Sequence, residues 1–324
     1  SKIDAVSDPH NKPNITLTYG ELNQKIKEFA TGLQIKEVKP EAKIALIADN
    51  SPRWLIADQG IIRAGCANAV RSSQAEKGEL LYIIEDSDSK ALIVENLSTL
   101  HKLRPEIDNF PLELIILLSD EDVSNENADY ILNFSQLMEL GKGNQLQLVE
   151  QNKDTLATLI YTSGTTGKPK GAMLSHGNLL HQVNSLDAVI QPEAGDRILS
   201  ILPSWHSFER AAEYFLLSRG CTLIYTNIRY FKQDLKKCKP HFMVGVPRLW
   251  ESIYEGVQKQ FRDGSATQQK LVKFFLDNSE KYFEAKRISE GLTLENLNPS
   301  GYEKFTAKLE AAVLLPIHKL CLLY

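Results

Sequence analysis

Leu156-Ala-Thr-Leu-Ile-Tyr-Thr-Ser-Gly-Thr-Thr-Gly-Lys-Pro-Lys-Gly171 is the stretch from which the rest of the chain can be read. Leu156 to Ile160 form an apolar run, and an apolar run feeding a loop of small residues reads as a buried strand ending at a functional turn. Gly164, Gly167 and Gly171 leave room for backbone N–H groups to close around an anion. Thr162, Ser163, Thr165 and Thr166 add hydroxyl donors, and Lys168 and Lys170 add positive charge. Such a loop suits a polyphosphate; the plain alternative is a surface hairpin, Gly-rich for its turns only. The common P-loop is not matched, because Thr162 stands where its first glycine belongs and Pro169 where its Ser/Thr belongs. Pro169 also restrains Lys168 from opening a helix, so the loop is expected to be a mobile clamp.

Working outward, strands and helices alternate. Thr18 and Glu21 have capping-box spacing ahead of a helix over 19–33, with Leu22, Ile26, Phe29 and Leu33 on its core face. Lys43 to Ala48 reads as a buried strand. Ser51-Pro52 caps a helix that runs to about Gly65. A strand near Ala69, a helix from Ala75 and strands at Ala91–Val94 and Leu114–Leu118 follow, then an exposed acidic loop over 119–127. Beyond the small-residue loop, Ser175 or His176 opens a helix through Val189 with Leu179, Leu180, Val183 and Leu186 inward. Strands are expected at Arg197–Leu202, Thr222–Tyr225 and Phe242–Val246, the last broken by Pro247 before a helix near Arg248. From Thr267 the pattern is helical, interrupted near Gly291 and Pro299. Alternating strands and helices imply parallel βαβ units and an α/β fold.

Composition is that of an ordinary globular protein. The formal charge of −4 over 324 residues gives no reason to expect nucleic acid. Four scattered cysteines, Cys66, Cys221, Cys238 and Cys321, form no Cys-x-x-Cys pair. They fit free thiols in a reducing, cytoplasmic setting and argue against a structural metal. No apolar run reaches the roughly 18 residues of a membrane span. The chain opens without methionine on a polar run and carries no visible signal peptide, so it reads as a piece of a longer protein.

The loop resembles the signature of the adenylate-forming (AMP-binding) enzymes, and Gly171-Ala-Met-Leu-Ser-His-Gly-Asn178 resembles its continuation, a short strand and a helix. Leu202-Pro-Ser-Trp-His-Ser-Phe-Glu-Arg210 and Gly245-Val-Pro-Arg-Leu-Trp-Glu251 are similar to the long-chain fatty-acid branch, in particular to cyanobacterial and plastid ligases. The resemblance covers most of residues 15–324. It implies the large N-terminal domain of the acyl-CoA synthetase-like fold, with parallel sheets flanked by helices. It also implies that a fatty acid is activated with ATP and Mg²⁺ and passed to coenzyme A or acyl carrier protein. On this resemblance Thr162, Ser163, Gly164, Thr165, Thr166, Gly167 and Lys168 hold the ATP phosphates, with the whole loop spanning 161–171. The family's later Tyr-Gly-x-Thr-Glu segment, ribose-binding aspartate and C-terminal lid are expected beyond Tyr324, so residues 1–324 form one incomplete domain that is inactive by itself. The alternatives are a ligase for an aryl or short-chain acid and a truncated nucleotide- or acyl-binding homologue.

His206, behind a strand and inside an aromatic cluster, is the candidate catalytic residue, orienting the carboxylate or touching a phosphate; the bland alternative is a helix cap. Trp205, His206 and Phe208 are the candidate substrate-binding residues, although aromatic residues are as often plain core. Arg248 at a helix start reaches an anion or makes a surface salt bridge. Arg229, Lys232, Lys236 and Lys239 recur at helical spacing and form one basic face. That face suits acyl carrier protein, peripheral contact with an anionic membrane, or solvent alone.

Overall fold

A computed structural model describes residues 2–11, 13–126, 129–162, 168–292 and 298–321, the side chains of 317 and 319–321 excepted. In chain order, the first elements are β1 (Asp4–Asp8), β2 (Ile15–Thr18), α1 (Tyr19–Ile35), β3 (Lys43–Ile47), α2 (Pro52–Arg63), β4 (Ala67–Arg71), α3 (Lys77–Asp86) and β5 (Ala91–Val94). They continue with α4 (Leu97–Leu103), β6 (Leu114–Leu117), β7 (Ile131–Leu132), α5 (Phe134–Gly141), β8 (Leu156–Thr162), β9 (Lys170–Ser175), α6 (His176–Ser185) and β10 (Arg197–Ser200). Last come α7 (Ser207–Ser218), β11 (Thr222–Tyr225), α8 (Phe231–Cys238), β12 (Phe242–Met243), α9 (Pro247–Arg262), α10 (Ala266–Glu290) and α11 (Gly301–Cys321).

Residues 1–244 and 245–324 are two compact units. In the first, the described strands form a seven-stranded sheet, β7-β6-β5-β3-β4-β8-β9, and a five-stranded sheet, β12-β10-β11-β1-β2. Both are parallel except for the antiparallel edge pairs β8–β9 and β1–β2. Side chains alternate along β3, so Ile44 and Leu46 join one core while Ala45 and Ile47 join another. The first core contains Phe29, Trp54 and Ile61 of α1 and α2, together with Val6, Ile198, Phe215 and Leu223 from the small sheet and α7. Helices α1, α2 and α7 are thus a shared layer between the sheets. The second core takes Leu80, Ile84, Leu100 and Leu103 from α3 and α4 on the far face. This is the α/β architecture of parallel sheets flanked by helices that the alternation implies.

Local chemistry sets the boundaries. Thr18 and Glu21 close the expected capping box, with Glu21 N donating to Thr18 Oγ1 at 3.3 Å and Thr18 N to Glu21 Oε2 at 2.8 Å. Ser51 caps α2 through Trp54 N at 3.0 Å, with Pro52 at the first helical position. Ser175, not His176, caps α6.

Three expectations change. Helix α6 ends at Ser185 and buries none of its residues, with Leu180 52% exposed, because α7 covers only one side of it. The strand at 242 stops at Met243, since only Ile198 and Leu199 pair with it. The acidic 119–126 segment is the exposed loop expected, held at one end where Arg53 pairs with Asp120 and Ser135 Oγ donates to Asp120 at 2.6 Å. Arg229, Lys232, Lys236 and Lys239 do not share one helix. Only Lys232 and Lys236 lie within α8; Arg229 precedes it, and Lys239 is its left-handed cap at φ 44°.

The second unit is helical. Helices α10 and α11 pack together, with His318 stacked on Tyr282 at 4.6 Å between ring centroids. Gly291 ends α10 at φ 71°, where sequence reading expects a break.

Candidate functional site

Strand β8 pairs in parallel with β4, Asn68 facing Thr158 and Val70 facing Ile160. Thr162, the last residue of β8, therefore falls level with Ser72, just past the carboxyl end of β4. In open α/β sheets this is the edge where ligands bind. Strand β9 returns antiparallel, Lys170 opposite Thr162 and Gly171 opposite Tyr161. Tyr161 is buried and its hydroxyl donates to Asp86 Oδ2 at 2.8 Å. Burial raises its pKa, keeping it neutral. A Cβ on Gly171 would come 2.9 Å from the Tyr161 ring, so packing accounts for this glycine. Lys168 is exposed, its Nζ 5.2 Å from the Tyr82 ring centroid. Ser163, Gly164, Thr165, Thr166 and Gly167 lie outside the described residues, as does the expectation that they clamp an anion.

The turn after β10 carries the remaining candidates. Asn50 holds it from the large sheet, donating to Leu202 O and accepting from Ser204 N at 2.8 Å. His206 caps α7, its Nδ1 accepting from Phe208 N at 3.4 Å. With Nδ1 engaged as the acceptor of the cap, Nε2 is the ring nitrogen left to donate. Its ring lies edge-on to Trp205 at 6.3 Å. The cap and the exposed donor coexist, so the two readings of His206 are compatible.

Trp205 and Phe208 face different spaces. Trp205, under the Arg71 guanidinium at 4.8 Å, borders a cleft of about 570 Å³. Phe208, with Ile160, Leu174 and Leu179, lines a separate hollow of about 480 Å³ between β8, α6 and α7. The structure brings His206 to Trp205 and places Trp205 and Phe208 on different spaces among the described residues.

The larger cleft lies at the carboxyl ends of both sheets, bordered by Asp49, Asn50, Glu95, Trp205 and Tyr225. It also contains His10, whose Nε2 is 2.6 Å from the buried Asp234 and whose ring stacks on Tyr230 at 3.8 Å. Sequence reading misses this pair. The partners are 224 residues apart, and no local motif signals either.

Below the turn lies a buried polar layer. Arg210 is fully buried and pairs with Asp58, also donating to Thr158 Oγ1 at 2.8 Å and Asn68 Oδ1 at 3.1 Å. Beside it, Glu209 and Glu213 are buried, and neither makes an ion pair among the described residues. Burial raises the pKa of both, with the charge of Glu213 adding to the effect at Glu209. Arg248, in the first turn of α9, is exposed and makes no ion pair among the described residues. Cys66, Cys221 and Cys238 are free thiols.

The model of the family described as AMP-binding enzyme matches residues 3–310. Across 98% of its length the chain is 40% identical to a chloroplastic long-chain-fatty-acid–acyl-carrier-protein ligase of Arabidopsis thaliana, of which it covers 46%. It is 28% identical to long chain acyl-CoA synthetase 4 of the same plant, over 82% of this chain and 41% of that protein. The chain thus spans about half the length of these relatives. Among solved structures, VinN aligns with a TM-score of 0.65 at 22% identity, over 80% of this chain and 60% of that one. The N-terminal domain of FACL13 from Mycobacterium tuberculosis aligns at 0.61 and 20%, over 76% and 60%. With the fold shared by these solved domains and a family match from residue 3 to residue 310, the chain belongs to the AMP-binding enzymes.

Proposed function

We propose that this chain is the nucleotide- and acyl-binding part of a ligase that activates a long-chain fatty acid. The reaction joins the acid to ATP as an acyl-adenylate, releases pyrophosphate, and passes the acyl group to acyl carrier protein or coenzyme A. The observation that carries this reading is the 40% identity, over nearly the whole chain, to a relative named as a ligase of long-chain fatty acids and acyl carrier protein. The lower identity of 28% to the acyl-CoA synthetase favours acyl carrier protein as the thiol.

Each residue has a task in this reading. A carboxylate attacks a polyanion poorly, so catalysis rests on charge neutralisation and in-line positioning. Thr162, Ser163, Gly164, Thr165, Thr166, Gly167 and Lys168 hold the phosphates, a role supported by the position of the β8–β9 hairpin. His206 directs Nε2–H at the carboxylate or a phosphate oxygen. Phe208, with Ile160, Leu174 and Leu179, offers apolar surface to the acyl chain, and Trp205 borders the separate cleft. Among the described residues no group of three or more His, Cys, Asp or Glu could hold a metal ion. Mg²⁺, when bound at the ATP phosphates, would supply charge neutralisation there. Lys232 and Lys236, flanked by Arg229 and Lys239, offer exposed positive charge to an acidic carrier or an anionic membrane surface. Among the described residues no helix is long and apolar enough to cross a membrane. The free thiols suit a reducing compartment, the cytoplasm or, as in the named relative, a plastid.

Pyrophosphate exchange with ATP by the native protein, measured across long-chain, short-chain and aryl acids, tests the reading. Exchange driven by long-chain acids supports it, and a response to aryl or short-chain acids alone overturns it. The 46% span of the relative keeps a second reading, a nucleotide- or acyl-binding protein without catalysis. That reading requires an intact native mass matching 324 residues, and saturable ATP binding without pyrophosphate release.

A further inference from the structure

Strands β10 and β11 pair Ser200 with Tyr225, so both side chains lie on one face of the small sheet. Helix α7 packs there and presents Glu209 and Glu213, which are 2% and 1% exposed. Ser200 Oγ is 2.7 Å from Glu209 Oε1 and 3.0 Å from Glu213 Oε1. Ser204 Oγ lies 2.9 Å from the same Glu213 oxygen.

The donors do not suffice for two carboxylates. A serine hydroxyl has a single proton and can donate to one of its two neighbours. With both groups ionised, the other contact would set a hydroxyl lone pair against a buried anion, a costly and uncompensated arrangement. Among the described residues neither glutamate makes an ion pair, and Arg210 acts on Glu213 only from beside it. The Arg210 guanidinium is committed to Asp58, Thr158, Asn68 and Tyr214, and Asp58 brings a further negative charge from α2. Tyr214 is engaged by Asp58 and Arg210, and the Tyr225 hydroxyl, like both Oε2 atoms, has no partner among the described residues. Asp8, at the end of β1, adds negative charge that Tyr225 also feels.

We propose that Glu209 and Glu213 hold one proton between them, seated on Glu209, and that this proton clamps the 202–206 turn. Protonated Glu209 donates to Ser200 Oγ, Ser200 donates to Glu213, and Ser204 donates to the same Glu213 oxygen. The last bond anchors the turn to α7, opposite the anchor that Asn50 supplies from the large sheet. Loss of the proton leaves Ser200 between two anions. Their repulsion draws Glu213 away from Ser204 and frees the segment carrying Trp205 and His206. Burial raises the pKa of both carboxyls, in agreement with the donor count. Glu209 and Glu213 are positioning residues for His206. The clamp stands without the ligase reading; only its consequence for catalysis rests on that reading.

Amide hydrogen exchange on the 324-residue chain, followed by mass spectrometry between about pH 6 and about pH 9, reads the clamp directly. Strand β3 serves as the internal reference for hydroxide catalysis. Opening of 202–206 relative to β3 is expected to rise about tenfold as the pair loses its proton. In Glu209→Gln, which fixes the neutral state, the segment stays protected at every pH, and Glu213→Ala opens it at every pH. A flat profile in the unmodified chain overturns the clamp, whether or not the variants fold. A rise that survives in Glu209→Gln overturns it equally. Neither result bears on fatty-acid activation, so failure of the clamp and failure of the ligase reading remain distinct.

Discussion

Asp58→Ala removes the only negative partner that the buried Arg210 contacts among the described residues. The aspartate is fully buried and accepts from Arg210, from Tyr214 OH and from Asn68 Nδ2, the last at 2.8 Å. Thr158, Asn68 and Tyr214 still contact the guanidinium after the change, but they are neutral. Breaking one side of a buried ion pair costs about 3–5 kcal/mol, because the surviving charge is left uncompensated. Glu213 lies close enough for the Arg210 charge to act on its titration, and the unpaired guanidinium favours its ionised form. That partial compensation sets the expected loss at the lower end, about 3 kcal/mol. The assay is urea unfolding followed by tryptophan fluorescence, with Trp250→Phe as background so that Trp54 and Trp205 report on the first unit alone. Trp54 is fully buried, with the Arg210 guanidinium 5.5 Å from its ring. Removing both charges with Asp58→Ala and Arg210→Met should cost less than the two single changes together, by about 1–3 kcal/mol. A single-variant loss below about 1 kcal/mol, or additivity within about 0.5 kcal/mol, would refute the account of Arg210 as a paired buried cation.

Other predictions concern the hairpin, the cap and the proton. Lys168→Ala combined with Thr165→Ala should lower ATP–pyrophosphate exchange by the native protein about 10²-fold or more without moving its urea midpoint, and unchanged exchange would show the loop misread. His206→Ala should cost about 1 kcal/mol as the cap of α7 is lost, and about 10²-fold in exchange rate. His206→Asn should restore stability but not rate, and recovery of both would reduce His206 to a cap. Gly171→Ala should destabilise the β8–β9 hairpin by about 1–3 kcal/mol through overpacking on Tyr161, read in the unfolding curve of the first unit. Burial raises Glu209 to about 8 in the fold. Between the ordinary carboxylate range and that value, the folded chain binds a proton that the unfolded chain has released. Its stability contribution therefore falls as pH rises through this window and is flat above it. Glu209→Gln should flatten the dependence, and equal slopes in both proteins would contradict the shift.

How much of this was legible in the sequence depends on the range of the forces involved. Local hydrogen bonds write themselves into short motifs, so the Thr18–Glu21 box, the Ser51-Pro52 cap and the Gly291 stop fall where the spacing puts them. Buried parallel strands such as β3 and β5 are equally plain, because being covered on both faces demands an unbroken apolar run. The inward face assigned to α6 fails because periodicity records amphipathicity without saying whether a neighbour covers it. The basic run fails for a related reason: spacing alone does not reveal that α8 begins at Phe231 and ends before Lys239. The glutamates of α7 mark the deeper limit. In sequence, Glu209 and Glu213 look like solvent-facing positions four residues apart on an amphipathic helix. Their burial follows from α7 lying between two sheets, and their shared proton from one serine on β10 and another in the turn after it. That relation is set by strand register and packing, which no window of the sequence contains. The same holds for His10 and Asp234, so the residues least legible here are those that tertiary structure alone brings to the cleft.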